Sequence, residues 1–274
     1  MLATLQRILA SLGFHADIGT YLVLFGLVLA RIVLAISLAP FLGGRSVTGR
    51  IKVGLAVFIT ALLFPSVVPE AHLGDLNTVR VMSLLVKEAI IGATLGFMSQ
   101  IVFYGIQMAG AMVDYQRGMS QATFLAPQLE TNVSLLGQVQ FQAALVLFLL
   151  LNGHLVFLRA LASSFRIVPV LAFPRFTGGT LTAVEQMARY TGEALLIAIQ
   201  LGAPVLLVLF LIDISFGMLG KVANGFQVHH ESQPVKSLVG LGVFLLGMSY
   251  VLNRMPGYFS GMMQQVDQLV RHVQ

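Results

Sequence analysis

The sequence predicts an all-α, polytopic helical membrane protein, and two observations lead to this fold class. First, 57% of the 274 residues are hydrophobic and only 10% are charged, whereas about a quarter of the residues in a soluble domain are charged. Second, several long stretches lack Asp, Glu, Lys and Arg. A helix satisfies its own backbone hydrogen bonds in lipid, and about 20 apolar residues cross the hydrocarbon layer.

Six hydrophobic segments are found in this way, at residues 21–42, 53–68, 89–113, 133–158, 194–212 and 237–253. The third and fourth segments contain no Asp, Glu, Lys or Arg and are long enough to cross the bilayer without difficulty. The first is interrupted by Arg31, and the second is short and closed by Pro65 and Pro69. The fifth carries Pro204 near its middle and the sixth is short, so we expect kinked or partial crossing for both.

One helix is expected to run from residue 182 to residue 212. Thr182 and Glu185 have the spacing of a capping box, and Pro204 would kink the helix. Such a helix is longer than a bilayer is thick. Because the longest connection, residues 159–193, contains the start of this helix, no soluble domain fits. We predict a single integral membrane domain over residues 1–274.

A polar interruption follows the third segment, at residues 114–128. Asp114 and Arg117 stand at i, i+3 and can neutralise each other at a helix end, while Gly118 can break the helix. The following residues are small, hydroxyl-bearing or apolar, which suits a loop packed inside a pore. We interpret this stretch as a plug, and an ordinary polar connection between two spans is the alternative. The plug candidates are Asp114, Gln116, Arg117, Gly118, Met119, Ser120, Thr123, Phe124 and Pro127.

Methionines surround the same interruption, and Met108 and Met112 are candidates for a gasket. Methionine side chains are unbranched and seal irregular gaps. The alternative is that each simply fills space between helices.

Charged residues in or beside the segments form a second group of candidates: Arg31, Lys87, Glu88, Asp213 and Lys221. An ionisable group inside a membrane needs a partner or a watery cavity. For Arg31 we expect a carboxylate from another helix or from a neighbouring subunit. Asp213 and Lys221 are two helical turns apart, so a helix end closed by its own charges is an alternative to a functional role.

Small residues recur at helical spacing, Gly92 with Gly96 and Gly105 with Ala109. Such residues let helix backbones approach closely in lipid. Packing within the chain and packing in an oligomer both explain the pattern.

Sequence signatures of enzymes are missing, so we expect neither catalysis nor a cofactor nor a metal. The chain has no cysteine. His230-Glu231 begins a zinc-protease pattern, but Pro234 stands at the position of its second histidine. The 16 Lys and Arg residues are scattered singly, which argues against nucleic-acid binding.

Several motifs, in their order and spacing, resemble the FliR/SctT family of type III secretion export-apparatus proteins. They are residues 31–40, residues 45–54, Lys87-Glu88 with Gly92 and Gly96, residues 114–128, Asn152-Gly153-His154 with residues 164–169, and residues 213–237. The Asn152-Gly153-His154 element and residues 164–169 are more similar to the flagellar branch than to the injectisome branch.

The resemblance implies a one-copy, non-enzymatic subunit of the type III protein export gate in the bacterial inner membrane, either in flagellar biosynthesis, at the flagellar basal body, or in an injectisome. Its implied partners are FliP/SctR-type and FliQ/SctS-type membrane subunits, a FlhB/SctU-type switch protein, unfolded export substrates and the lipid membrane. Kinked helical hairpins would form a pore raised toward the periplasm, and residues 114–128 would plug it. The alternative function is a small-solute secondary transporter, which would show matching interrupted segments in two halves of the chain. Only the fifth segment has a proline near its middle, and the first three segments offer no counterpart.

Overall fold

The computed structural model describes residues 18–44, 47–67, 77–118, 134–173, 180–222 and 228–272. Within these ranges the structure contains eight helices and no strand, which confirms the predicted all-α fold. The helices are α1 (Ile18–Leu38), α2 (Pro40–Gly43), α3 (Gly49–Val67), α4 (Thr78–Gln116), α5 (Leu135–Leu150), α6 (Gly153–Ile167), α7 (Thr180–Val222) and α8 (Val228–His272).

Five of these helices, α1, α3, α4, α7 and α8, are long and apolar enough to cross a membrane. The bent pair α5 and α6 would provide a sixth span if the two are counted together. The prediction of about six hydrophobic segments in a multi-pass membrane protein is therefore confirmed.

Three helices are much longer than the apolar segments that predicted them. The lengths of α4, α7 and α8 are 39, 43 and 45 residues, which at ~1.5 Å per residue corresponds to about 60–70 Å. The predicted long helix with an internal Pro204 is present as α7, and it begins before Thr182 and continues past Asp213. Lys87 and Glu88, expected at a segment edge, lie inside α4.

The fourth segment, residues 133–158, was expected to cross the bilayer, and the structure shows that it is not one continuous helix. The structure breaks it at Leu151 and Asn152 into α5 and α6. Asn152 has a φ of 57°, a left-handed conformation that asparagine tolerates better than most residues. Charge-free composition predicted helical structure for this segment, but it carried no information about the break, which the Asn152-Gly153 pair encodes.

The second segment ends close to its predicted limit at residue 68, but Pro65 does not close the helix, and Pro69 lies outside the described residues. Helix α3 includes Pro65 and continues to Val67. A proline near the last turn removes only one hydrogen bond to a carbonyl one turn earlier, so the helix continues past it.

The chain divides into two compact units. Unit 1 comprises Met1–Gln100, Leu155–Ala183 and Gln264–Gln274, and unit 2 comprises Ile101–His154 and Val184–Met263. In unit 2, the rings of Phe103, Phe148 and Phe259 contact one another with centroids 5.2–5.4 Å apart. In unit 1, Phe41 packs edge-on against Phe157 at 5.1 Å. One domain over residues 1–274 remains a prediction.

Glycines allow helices to approach closely inside each unit. In unit 1, a Cβ at Gly92 would collide with the backbone of Arg31, and one at Gly96 would lie 2.8 Å from the carbonyl oxygen of Ala35. In unit 2, a Cβ at Gly105 would lie 2.9 Å from the carbonyl oxygen of Ala194. The predicted role of these small residues in close helix packing is therefore confirmed within the chain.

Candidate functional site

The C-terminal end of α4 lies in unit 2 and stops where the sequence predicts. Gln116 is the last helical residue, and Gly118 has a φ of +81°. The amide of Gly118 donates to the carbonyl of Tyr115 at 3.1 Å. Glycine adopts this left-handed conformation without the steric cost of a Cβ, and it commonly follows the last turn of a helix. Gly118 therefore ends α4.

Asp114 connects the end of α4 to the beginning of α5. One carboxylate oxygen accepts from Arg117 Nη1 at 3.1 Å, which confirms the predicted i, i+3 pair. The other accepts from Ser134 Oγ at 2.7 Å and from the amide of Leu136 at 2.8 Å. Ser134 in turn caps α5 by accepting from the amide of Gly137 at 2.9 Å. Asp114 thus binds residues on both sides of the stretch 119–133.

Arg117 extends these contacts to α8. Its Nε donates to the carbonyl of Ser237 at 3.2 Å, and its Nη2 lies 3.4 Å from Ser237 Oγ. Gly240 leaves room for the arginine, because a Cβ there would lie 2.8 Å from Arg117 Cγ and Cδ. The guanidinium therefore joins the end of α4 to the first part of α8.

Asp213 of α7 completes the arrangement. It accepts from Gln116 Nε2 at 2.9 Å and forms an ion pair with Lys236 of α8. We call the seven residues the stem network: Asp114, Gln116, Arg117, Ser134, Asp213, Lys236 and Ser237. Two carboxylates face two cations in this network, so its formal charges balance.

Not every predicted plug residue is placed by the structure. The stem network contains three of the candidates, Asp114, Gln116 and Arg117, and Gly118 follows directly after it in the chain. The remaining candidates lie outside the described residues: Met119, Ser120, Thr123, Phe124 and Pro127. Both gasket candidates lie on α4, Met108 half-buried and Met112 more exposed. Their role as a gasket stays a prediction.

Asp213 and Lys221 do not close a helix end on each other. Helix α7 continues through Asp213 to Val222, and Asp213 pairs with Lys236 instead. Lys221 is exposed in the last turn of α7, where a cation is favourable beside the helix dipole.

A second charged cluster lies in unit 1 and surrounds Glu88. Arg31 Nε forms an ion pair with one carboxylate oxygen of Glu88, and Lys87 Nζ lies 2.6 Å from the other. Arg31 and Glu88 have no exposed side-chain surface. The predicted carboxylate partner of Arg31 is therefore present, and it comes from the same chain.

Arg31 and Lys87 also bind the end of α6. Arg31 donates to Ser164 Oγ at 3.1 Å and to the carbonyl of Val168 at 3.0 Å. Lys87 Nζ donates to the carbonyls of Pro169, Val170 and Ala172 at 2.8–3.0 Å. These carbonyls follow Ile167, the last residue of α6, so the two cations hold the segment that leaves the helix.

Sequence reasoning did not assign four partners: Ser134, Ser164, Lys236 and Ser237. Ser134 precedes an apolar run, which is a signal for a helix N-cap. Lys236 begins the apolar run of α8, and its distance of 23 positions from Asp213 hid the pairing, because interhelical partners have no fixed spacing. Ser164 and Ser237 give no sequence signal that separates them from other serines.

Comparison with known proteins decides the family. The sequence model described as "Bacterial export proteins, family 1" matches residues 22–262, which include most of every helix described above. The chain belongs to this family.

Relatives within the bacterial export proteins come from two kinds of system. The chain is 32% identical to a flagellar biosynthetic protein FliR of Pectobacterium carotovorum subsp. carotovorum over 77% of the chain and 78% of that relative. It is 30% identical to FliR of Escherichia coli (strain K12), over 78% and 80%. It is 27% identical to the Yop proteins translocation protein T of Yersinia pestis, over 80% and 83%. These relatives confirm the predicted FliR/SctT family.

Proposed function

We propose that this chain is a non-enzymatic subunit of the type III protein export gate in the bacterial inner membrane, in a flagellar system. The observation that carries the proposal is the family match across residues 22–262. The flagellar assignment is supported by the flagellar names of the two relatives with 30% identity or more. A relative from the Yersinia translocation system has lower identity.

The length of the helices supports membership in a larger complex. Helices of 39–45 residues exceed the ~30 Å hydrocarbon layer, so lipid alone cannot surround them. Exposed apolar side chains occur along the same helices, among them Met82, Leu207 and Leu246. We infer that FliP/SctR-type and FliQ/SctS-type subunits cover part of these surfaces, that a FlhB/SctU-type protein binds the assembly, and that the core is raised toward the periplasm.

The pairing of the buried charges supports a scaffold rather than a solute carrier. Glu88 pairs with Arg31 and Lys87 in unit 1, and Asp114 pairs with Arg117 in unit 2. A carrier that couples transport to ions needs charged groups that bind and release a ligand at the midplane. The carboxylates of these clusters are occupied by cations of the same chain.

We infer further that residues 118–127 plug the export conduit and that the stem network holds the plug. Asp114 binds Arg117 on the near side of this stretch and Ser134 on the far side. Asp114 also accepts from the amide of Leu136 in α5, and Arg117 binds Ser237 in α8. The base of the plug is therefore fixed to two further helices, α5 and α8. Met108 and Met112 lie one to three turns before Gly118 and would seal against the moving substrate.

Affinity purification of the tagged full-length chain from its native membrane tests the proposed membership. We expect a hetero-oligomer in which two other small hydrophobic proteins co-elute in fixed ratio, with one copy of this chain, measured by native mass spectrometry. A matched control is the same purification from cells that lack the FliP/SctR-type subunit, where the chain should elute alone or be degraded. A stable monomer that transports a small solute after reconstitution would contradict the proposal and favour the transporter.

A further inference from the structure

Helix α6 combines a firmly held inner face with an exposed basic face. Its 15 residues span about 22 Å, which is too short to cross the hydrocarbon layer alone. Phe157, Leu161 and Phe165 are almost fully buried on one side. Arg31 fixes this side, because its guanidinium lies 4.2 Å from the ring centroid of Phe165 and donates to Ser164 Oγ at 3.1 Å.

Two arginines occupy the opposite side of α6. Arg159 and Arg166 are both exposed, and a spacing of seven residues places them on one face about 10 Å apart along the axis. Leu155 lies on the same face with 42% of its surface exposed. The exposed face therefore presents two guanidinium groups beside apolar side chains, a composition typical of the boundary between headgroups and acyl chains.

These arginines lack a carboxylate partner in the part of the chain that the structure describes. The buried cations Arg31, Lys87 and Arg117 each pair with Asp or Glu, whereas no such pair involves Arg159 or Arg166. Residues 131–184 contain no Asp and no Glu, so α6 has no carboxylate close to it in the sequence. Among the residues that the structure describes, no carboxylate neutralises the positive charge on this face.

We propose that the exposed face of α6, through Arg159 and Arg166, binds the phosphate groups of anionic phospholipids at the membrane surface. The planar guanidinium donates two parallel hydrogen bonds to one phosphate, which an ammonium cannot do. Leu155 contacts the upper acyl chain beside the headgroup. The buried inner face keeps α6 in place. Lipid binding therefore does not have to pay the conformational entropy of ordering the helix that carries the two arginines. This lipid contact is independent of the export role.

Lipid retention by the purified full-length chain tests the proposal. The protein is loaded into nanodiscs of equal phosphatidylglycerol and phosphatidylcholine, exchanged into detergent, and the retained lipids are quantified by mass spectrometry. We expect phosphatidylglycerol to be enriched over phosphatidylcholine on the unaltered chain. The double variant Arg159→Gln/Arg166→Gln should lose this enrichment, with binding weaker by roughly 20- to 30-fold, since each arginine near an anionic surface contributes about fivefold.

Three comparisons make the test specific. The control variant Arg50→Gln/Arg80→Gln removes two exposed cations from α3 and α4 and should keep the phosphatidylglycerol enrichment. An equal loss of enrichment in this control would show that only the net charge of the protein matters, and it would overturn the proposal. Arg159→Lys/Arg166→Lys should retain an intermediate level. Inorganic phosphate at millimolar concentration should not displace the lipid, and displacement by phosphate alone would identify a free-anion site instead. Cross-linking of position 159 to an acidic protein subunit, rather than to lipid, in the assembled complex would also overturn it.

Discussion

Single residues decide how this chain keeps charges inside apolar surroundings. An isolated charge in a membrane costs several kcal/mol, on the order of 3 on the lenient scales. Glu88 is fully buried and contacts both Arg31 and Lys87, and Asp114 fills its two oxygens with three donors. Each carboxylate is therefore the centre of its cluster, and its removal leaves at least one buried cation without a counter-charge.

Substitution of Asp114 by asparagine tests the stem network at this scale. The variant leaves Arg117 buried without a counter-charge, so we expect a loss of about 3–5 kcal/mol in the free energy of unfolding. Unfolding of the purified chain in mixed micelles by SDS measures it. The matched control is Glu185→Gln, which removes an exposed carboxylate paired with Arg189 and should cost at most about 1 kcal/mol. Similar losses in the two variants would contradict the assigned contacts.

A double-variant cycle tests the cluster around Glu88. Glu88→Leu alone should destabilise the chain by about 3–5 kcal/mol, because Arg31 is left charged and buried. Adding Arg31→Met should recover a large part of this loss, since the buried charge is removed and Lys87 keeps its three carbonyl acceptors. The same micelle unfolding assay measures both. Additive losses in the double variant would show that Arg31 and Glu88 do not interact.

Whole helices were predicted well where apolar composition determines them and poorly where single residues do. Long charge-free runs in the sequence located α4, α7 and α8, but each helix extends far beyond its apolar run. A helix does not stop at a charged residue that forms an ion pair, such as Glu88 or Asp213. The break between α5 and α6 depends on the conformation of Asn152. No hydropathy pattern contains that information.

The close packing of α1 on α4 gives a prediction for these elements. Gly92→Ala places a methyl group against the backbone of Arg31, which cannot move aside as a side chain can. We expect a loss of about 1–3 kcal/mol from overpacking, measured by thermal unfolding in detergent. Gly26→Ala is the control in α1, since a Cβ there meets no atom within 4 Å, and it should be neutral or stabilising by up to ~1 kcal/mol. Equal stability of the two variants would disprove the close approach.

At the scale of the whole molecule, the fold class, the number of apolar segments and the family were all predictable from the sequence. The site was predictable in part: Asp114, Arg117 and Gly118 were assigned from local spacing, which is fixed within one helix. Their partners Ser134 and Ser237 come from other helices, and a single sequence does not encode which helices meet. The same reason explains why Lys236 was missed as the partner of Asp213.

We propose that residues 118–127 close a conduit from a base formed by the stem network. Ion conductance of the purified complete export complex in planar bilayers tests it most directly. Two variants distinguish the role of the plug from that of its base. The first is deletion of residues 118–126. The second replaces residues 119–126 by a Gly/Ser linker of equal length, which keeps Gly118 and the stem network. We expect both assembled complexes to conduct ions continuously while the unaltered complex stays closed. Closed behaviour of both variants, in complexes of unchanged subunit composition, would contradict the account.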